Sequence, residues 1–175
     1  MKYLIDGYNV IFECGLHARV VNAASLAKAR DRLLKTIESN LSPADVAKTT
    51  VVFDAEKIPL SGQQEEGRFN QIRILYSINY AEADELIEEL IGAHAVPKSL
   101  TVVSSDHRIQ KAALRRKAMI TDSGPWFENL VDGRFISHGE KPTQQDQSAS
   151  EPTNMPNPFP KNILDGIDGV DDLLE

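Results

Sequence analysis

The 175-residue chain has little of several features that define whole classes of protein. Its single cysteine, Cys14, excludes an intrachain disulfide, and such a chain is typical of a reducing compartment. No run of about 18 apolar residues occurs, which argues against a transmembrane helix. An acid, Asp6, stands where a secretory signal would need an apolar core. We therefore expect a soluble, cytoplasmic protein that has no membrane partner.

Two common kinds of ligand site also lack support in the sequence. The four histidines show no zinc-like spacing, and Zn²⁺ would require Cys or His ligands. Neither the P-loop nor the dinucleotide-binding glycine pattern occurs, so a glycine-rich nucleotide site is unsupported. Aromatic residues make up 6% of the chain, which leaves little surface for base stacking and predicts weak sequence readout of any nucleic acid.

Acidic charge is concentrated at the C-terminal end of the chain. The net charge is −7, but residues 138–175 hold eight acids and two bases and so carry −6. Residues 1–137 are nearly balanced, with 18 acids and 17 bases. From residue 138 the composition shifts to Pro, Gln, Ser, Asn and Thr. This predicts a folded domain over residues 1–137 and a disordered acidic tail over residues 138–175.

The last residues of the predicted tail, 163–175, have a pattern of their own. Ile163, Ile167, Val170 and Leu174 stand at roughly helical intervals among acids. Segments of this kind fold against a groove on a protein partner. Two glycines interrupt the pattern, so a solvated acidic terminus is an equally good interpretation.

Residues 1–137 alternate short apolar runs with amphipathic stretches, a pattern typical of parallel strands joined by helical crossovers. Strands are predicted at Lys2–Asp6, Thr49–Asp54, Ile72–Ser77, Leu100–Ser104 and Ala118–Thr121. Helices are predicted at Ala23–Asn40, Glu82–Ala93, His107–Lys117 and Pro125–Val131. The third strand could instead extend a helix. The segment Ala55–Gln71 has no apolar periodicity and is predicted as a long loop.

Acidic residues stand at the ends of the predicted strands. Asp6 ends the first strand, Asp54 ends the second, and Asp106 and Asp122 follow the fourth and fifth. The carboxyl ends of parallel strands share one edge, so these side chains should converge there, and Asp84 can join them if its helix begins at that edge. Singly, each aspartate is better explained as a helix cap or turn residue. Together they favour a carboxylate site, and an all-oxygen site with open positions suits Mg²⁺ or Mn²⁺.

Basic residues crowd two of the predicted helices. The first set is Arg19, Lys28, Arg30, Arg32 and Lys35, and the second is Arg108, Lys111, Arg115, Arg116 and Lys117. Such runs are usually solvated helix faces. Beside an acidic metal centre, however, they would accommodate a phosphodiester chain, with Lys and Arg following its backbone.

Four segments carry a resemblance to a known family. They are Tyr3–Ile11, which contains Asp6-Gly7-Tyr8-Asn9, then Val51–Asp54, Glu82–Ile87 and Val102–Asp106. In this order they resemble the motifs of the YacP-type NYN domains, which belong to the PIN-like nucleases. The resemblance covers about residues 1–135. It implies a PIN-like α/β fold of three layers, in which helices flank a central, mostly parallel sheet.

The same resemblance implies metal-dependent endoribonuclease activity, and some members of the family are linked to ribosomes and messenger RNA decay. By position it implies that Asp6, Asp84 and Asp106 are metal ligands. Asp54 would be a further acid of the cluster, and Asn9 would orient the site or a substrate phosphate. The chain departs from the family pattern three residues before the helix acid, where relatives often have Glu or another polar residue and this chain has Ala.

The hypothesis from the sequence is an endoribonuclease that uses Mg²⁺ or Mn²⁺ to hydrolyse RNA, including messenger RNA or RNA on the ribosome, with DNA open as the other substrate. Arg68, Arg73, Arg108 and Lys111 would contact the RNA. The alternative is a non-catalytic module that binds RNA or a ribosomal surface while the tail recruits a partner. A phosphatase is not supported, because Asp6 is not followed by the second acid of an Asp-x-Asp pattern.

Overall fold

The computed structural model describes residues 1–55 and 65–135. They lie in the first of the two units into which the chain divides, Met1–Lys141. The predicted tail and its segment 163–175 lie outside the described residues, as do residues 56–64 of the predicted long loop. Within the described ranges, every helix is too short or too polar to cross a bilayer.

Six strands form one sheet. They are β1 (Tyr3–Asp6), β2 (Thr49–Phe53), β3 (Glu66–Phe69), β4 (Ile72–Tyr76), β5 (Thr101–Val103) and β6 (Met119–Thr121). Their spatial order is β3-β4-β2-β1-β5-β6, and only the pairing of β3 with β4 is antiparallel. The predicted mostly parallel sheet is confirmed. The third predicted strand is β4, so the alternative that it extends a helix is wrong.

The prediction of an unbroken loop over Ala55–Gln71 is wrong at Glu66–Phe69, which form strand β3. Strand β3 turns back onto β4 through Asn70, whose φ of 49° is one that Asn adopts more readily than most residues. The strand has no apolar run because it lies at the edge of the sheet. Its first and third residues are exposed, while Gly67 and Phe69 are only half-buried. An edge strand of this kind is hard to distinguish from a loop by hydrophobic pattern.

Within residues 1–55 and 65–135, six α-helices cover the sheet on both faces. They are α1 (Gly7–Glu13), α2 (Ala23–Asn40), α3 (Pro43–Val46), α4 (Ala83–Ala93), α5 (His107–Arg115) and α6 (Ser123–Val131). Ile5 and Phe53 belong to a core shared with α1, α2 and α6. Leu4 and Val52, their neighbours on the same strands, belong to a second core shared with α4 and α5. The alternation of side chains along a strand thus creates the three predicted layers.

Helix α1 was not predicted, and it begins directly where β1 ends. Asp6 caps it by accepting a hydrogen bond from the backbone N–H of Asn9. Gly7 allows this abrupt change, because a Cβ atom at this residue would lie 2.2 Å from Cε1 of Phe53. The close packing of α1 on β2 therefore depends on a residue without a side chain.

Candidate functional site

The site lies at the point where the connections between strands switch from one face of the sheet to the other. After β1 the chain passes over one face through α1 and α2, and after β5 it passes over the other through α5. Strands β1 and β5 are neighbours, so a crevice opens between their carboxyl ends, where ligands bind in open α/β sheets. A cleft of about 580 Å³ is found at this edge. It is lined by Asp6, Asn9, Phe12, Glu13, Asp54, Glu82, Ala83, Asp84 and Asp106.

Asp6 is the most buried acid of the cleft, with only 8% of its surface exposed. Its Oδ1 accepts the backbone N–H of Asn9 at 3.1 Å, and its Oδ2 accepts the hydroxyl of Ser104 at 3.2 Å. Burial raises the pKa of Asp6 to about 6, and the negative charges of Asp84 and Asp106 act in the same direction. The two hydrogen bonds lower this pKa but do not offset burial. Without a cation nearby, Asp6 therefore titrates close to neutral pH.

Asp106 lies at the N-terminus of α5 and acts as its cap. Its Oδ1 accepts the backbone N–H groups of Arg108 at 2.6 Å and Ile109 at 3.3 Å. Ser104 connects it to Asp6, because the Ser104 hydroxyl accepts the backbone N–H of Asp106 at 3.1 Å while it donates to Asp6. The two explanations of this aspartate from the sequence, a cap and a member of the acidic site, are therefore compatible.

Asp84 lies in the first turn of α4, opposite Asp106, and is half-buried. Burial raises its pKa, and the charge of Asp106 raises it further. Arg108 opposes this effect, with its Nη1 4.0 Å from Oδ2 of Asp84. The same guanidinium pairs with Glu82 at 3.3 Å and with Glu88 at 3.0 Å. Acids of α4 and of the residue before it thus surround the charge of Arg108.

Asp54 and Asn9 complete the set of predicted residues that line the cleft. Asp54 follows β2, and its Oδ1 accepts the Ser77 hydroxyl at 3.4 Å. The side-chain oxygen of Asn9 accepts the backbone N–H of Ser105 at 3.0 Å and the Ser123 hydroxyl at 2.6 Å. Asn9 therefore joins α1 to the segment before α5 and to the first residue of α6. These bonds hold together the elements that carry the acids.

The two arginines predicted at the end of the long loop lie away from this cleft. The strand register places Arg73 beside Thr50, near the amino ends of the parallel strands and four positions before Asp54. Its guanidinium forms two hydrogen bonds with Glu66, at 2.8 and 2.9 Å. Arg68 stands opposite Arg73 on β3 and is exposed. Neither arginine lines the cleft.

Two further predicted residues are also outside the lining of the cleft. Lys111 is exposed on α5, one turn beyond Arg108. Asp122, which was expected to converge with the other acids, is not among the residues that line the cleft. Its Oδ1 accepts the side-chain amide of Gln110 at 2.5 Å, and it follows β6, the outermost strand on that side.

Sequence reasoning missed three contributors to the site. Phe12 and Glu13 line the cleft three and four residues after Asn9, which is the spacing of one helix face. Recognition of α1 as a helix would have placed them there. Ser104 was part of the Ser-Ser-Asp segment, but its link between two acids depends on the pairing of β1 with β5.

The donor atoms around the cleft fit a hard divalent cation. They are carboxylate oxygens on neighbouring elements, and their mutual repulsion is what a cation would relieve. Among residues 1–55 and 65–135, no three His, Cys, Asp or Glu side chains lie close enough together to hold a metal ion by themselves. Mg²⁺ does not need three such ligands, because it keeps several waters and uses one or two carboxylates.

Fold and cleft together define a class, a three-layer α/β domain with an acidic cleft at the carboxyl edge of a mostly parallel sheet. The model of the YacP-like NYN domain matches residues 3–165, so the chain belongs to this family, whose domain is of the PIN-like nuclease type. The match runs past the predicted domain boundary at residue 137. No curated protein matches the chain.

Solved structures of the same fold support this assignment. The crystal structure of Rae1 (YacP) from Bacillus subtilis has 23% sequence identity and a TM-score of 0.56, over 77% of this chain and 75% of that one. A tryptophan-to-leucine mutant of Rae1 has 21% identity and a TM-score of 0.54, over 75% of this chain and 76% of that one. At these identities the likeness shows the fold.

Proposed function

We propose that the protein is an endoribonuclease that hydrolyses RNA phosphodiester bonds with Mg²⁺ or Mn²⁺ as cofactor. The observation that carries the proposal is the meeting of Asp6, Asp54, Asp84 and Asp106 around one cleft at the switch between β1 and β5. Membership of a nuclease-type family, which is associated with RNA substrates, supports the same activity.

In this proposal the four acids have different roles. Asp6, Asp84 and Asp106 would hold the divalent ion, one or two of them directly and the rest through waters that the ion keeps, and the ion would stabilise the charge that builds on the phosphate. A carboxylate of the cleft such as Asp54 would take the proton of the attacking water as its oxygen bonds to phosphorus, and solvent water would protonate the ribose oxygen that leaves. Asn9 is a positioning residue, because its hydrogen bonds join the elements that carry Asp6 and Asp106.

The charge of the cleft determines how RNA must be held. The described residues that line the cleft include six acids and no base, so they repel phosphates until a cation is bound. Binding energy for the rest of the strand must therefore come from basic residues outside the cleft.

The first test is cleavage of end-labelled single-stranded RNA, beside matched DNA, in EDTA, Mg²⁺ and Mn²⁺. Asp6→Asn and Asp106→Asn should each lower the cleavage rate at least about 100-fold, while Asn retains the capping ability of both residues. Asp122→Asn is the matched control, because this aspartate precedes a helix at the same edge but lies outside the lining. Full activity of both cleft variants would contradict the proposal.

A binding module without catalysis is the second candidate, and one observation favours it. Arg108 Nη1 lies 4.0 Å from Asp84 Oδ2 and so already offsets part of the negative charge that a cation would neutralise. This candidate predicts that the wild type binds RNA in every buffer and cuts none. A third outcome is cleavage that requires ribosome-bound messenger RNA. Adding ribosomes to the same assay distinguishes this outcome from binding without cleavage.

A further inference from the structure

A second cavity, of about 590 Å³, lies beside the first turns of α2 and the segment that precedes them. We call it the α2 groove. Its lining includes Leu16, His17, Val20, Ser25, Lys28 and Arg32. The last three of these lie three and four residues apart, on one face of the helix. The groove therefore combines a basic helix face with an apolar floor.

The two cations of the α2 groove differ from their neighbours on the same helix. Lys28 and Arg32 are exposed, and neither forms an ion pair or a side-chain hydrogen bond with any residue the structure describes. Arg30 instead donates to the Tyr8 hydroxyl at 2.7 Å, and Lys35 pairs with Asp31 at 2.7 Å. Among the described cations of α2, therefore, only the two that line the groove are left available for an external anion.

The N-terminus of α2 does not supply this anion site. Asn22 and Ser25 form a reciprocal capping box, in which each side chain accepts the backbone N–H of the other at 2.9 Å. These bonds satisfy two of the amides that a helix terminus would otherwise present. The attraction for an anion comes from the two side-chain charges.

An aromatic contact connects the α2 groove with the acidic cleft. Phe12 lines the cleft and is 38% exposed, while His17 lines the groove, and their ring centroids are 5.2 Å apart. Phe12 also stacks on Tyr8, at 6.0 Å between centroids and 30° between planes. Exposed rings held in this way offer a surface on which bases can stack. The two cavities are therefore consecutive along one surface.

We propose that the α2 groove binds the continuation of the RNA strand that occupies the cleft. Lys28 and Arg32 contact its phosphates, and Phe12 and His17 form the stacking surface between the two cavities. The proposal rests on the proposed function for the identity of the strand in the cleft. An acidic protein would satisfy the two cations, but it would gain nothing from the aromatic connection to an acidic cleft.

The test uses a fluorescein-labelled, unstructured single-stranded RNA of about 12 nucleotides. Fluorescence anisotropy measures its binding to the full chain in EDTA. Lys28→Gln with Arg32→Gln should weaken binding about tenfold. It should also reduce the slope of log K against log salt by about 1.4, which is the value for two lost phosphate contacts on a single strand. The matched control, Lys98→Gln with Arg115→Gln, removes the same charge from exposed positions outside both cavities and should change the affinity less than twofold.

Two results would overturn the proposal. One is an equal loss of affinity in both double variants, which would mean general charge attraction. The other is unchanged RNA binding with lost binding of poly-glutamate, which would assign the groove to an acidic protein. Circular dichroism checks that the variants fold, and Gln preserves the helix propensity of these exposed positions.

The outcomes also separate this proposal from the proposed function. If the wild type cuts RNA with metal and the groove variant binds and cuts normally, the groove proposal fails alone. If the wild type cuts nothing but the groove variant loses RNA affinity, only the endonuclease proposal fails.

Discussion

The acidic cleft and the α2 groove use charge in opposite ways. In the cleft, Asp6 is almost fully buried, accepts two hydrogen bonds and has a raised pKa. In the groove, Lys28 and Arg32 project from an exposed helix face with no such contacts in the described part of the chain. A charge held at the end of a buried strand is fixed in place and altered in acidity, which suits chemistry. A charge on a free helix face keeps its ordinary properties and suits reversible binding.

Arg108 shows that residue type alone does not decide between these uses. It is as exposed as a groove cation, but Glu82, Asp84 and Glu88 surround its guanidinium. Its contribution to the affinity for phosphate is therefore offset by its own neighbours. The comparison predicts different responses to mutation in the two regions.

The largest effect should come from the cleft acid on α4. Asp84→Asn should lower the metal-dependent cleavage rate at least about 100-fold, because one ligand of the ion is lost. The affinity for RNA in EDTA should stay the same or rise, since a negative charge is removed from the path of the phosphates. Glu85→Gln on the same helix is the control and should retain activity. A loss of RNA affinity in Asp84→Asn would contradict the proposal that the cleft serves catalysis and the groove serves RNA binding.

Gly7→Ala should destabilise the helix that borders both regions. The new methyl group would collide with the Phe53 ring, and such overpacking costs about 3 kcal/mol of the free energy of unfolding. Urea unfolding followed by circular dichroism measures this loss. Gly92→Ala is the matched control, because open space surrounds that position inside α4, and it should stabilise the protein by about 0.5–1 kcal/mol. Equal stability of the two variants would contradict the packing described for α1.

Asp6→Asn should stabilise the metal-free protein at neutral pH, by up to about 3 kcal/mol. The folded-state pKa of Asp6 is raised from 3.8 to about 6, so the folded protein binds its proton more tightly than the unfolded chain. The wild type therefore loses stability relative to the variant as the pH rises from about 4 to about 6, and the difference stays constant above that. Urea titrations in EDTA at about pH 4 and pH 7.5 measure it. A difference that does not depend on pH would contradict the raised pKa.

The same pair of proteins tests the metal site without reference to activity. A saturating concentration of Mn²⁺ should raise the Tm of the wild type, because an ion that binds only the folded state stabilises it. It should raise the Tm of Asp6→Asn much less. Equal shifts in both proteins would mean that the ion binds elsewhere.

The smallest effect is expected for Arg108. Arg108→Gln should change the affinity for single-stranded RNA by less than about threefold and leave the salt slope nearly unchanged, since acids of α4 already neutralise the guanidinium. The anisotropy assay designed for the groove variants measures both quantities. A tenfold loss would show that Arg108 leaves its acidic partners to bind phosphate.

Much of the fold could be predicted from hydrophobic pattern because the parallel strands are buried on both faces and stand out as apolar runs. The elements that escaped were those without such a pattern. Helix α1 has apolar residues on most sides and follows β1 without a loop, and β3 is an exposed edge strand. Four of the six acids that line the cleft, the aspartates, were predicted from their positions at the ends of strands or in the first turn of a helix, a property of chain order.

The sequence by itself determined the positions of the acids at the strand ends, the apolar runs of the central parallel strands, and the family to which the chain belongs. Tertiary structure alone decided which charges remain available. Arg73 and Arg108 look equivalent to Lys28 and Arg32 along the chain, yet folding brings acids to the first pair and leaves the second beside a groove. The reason is physical, since an ion pair depends on distance in space, and that distance between residues far apart in sequence exists only once the chain has folded.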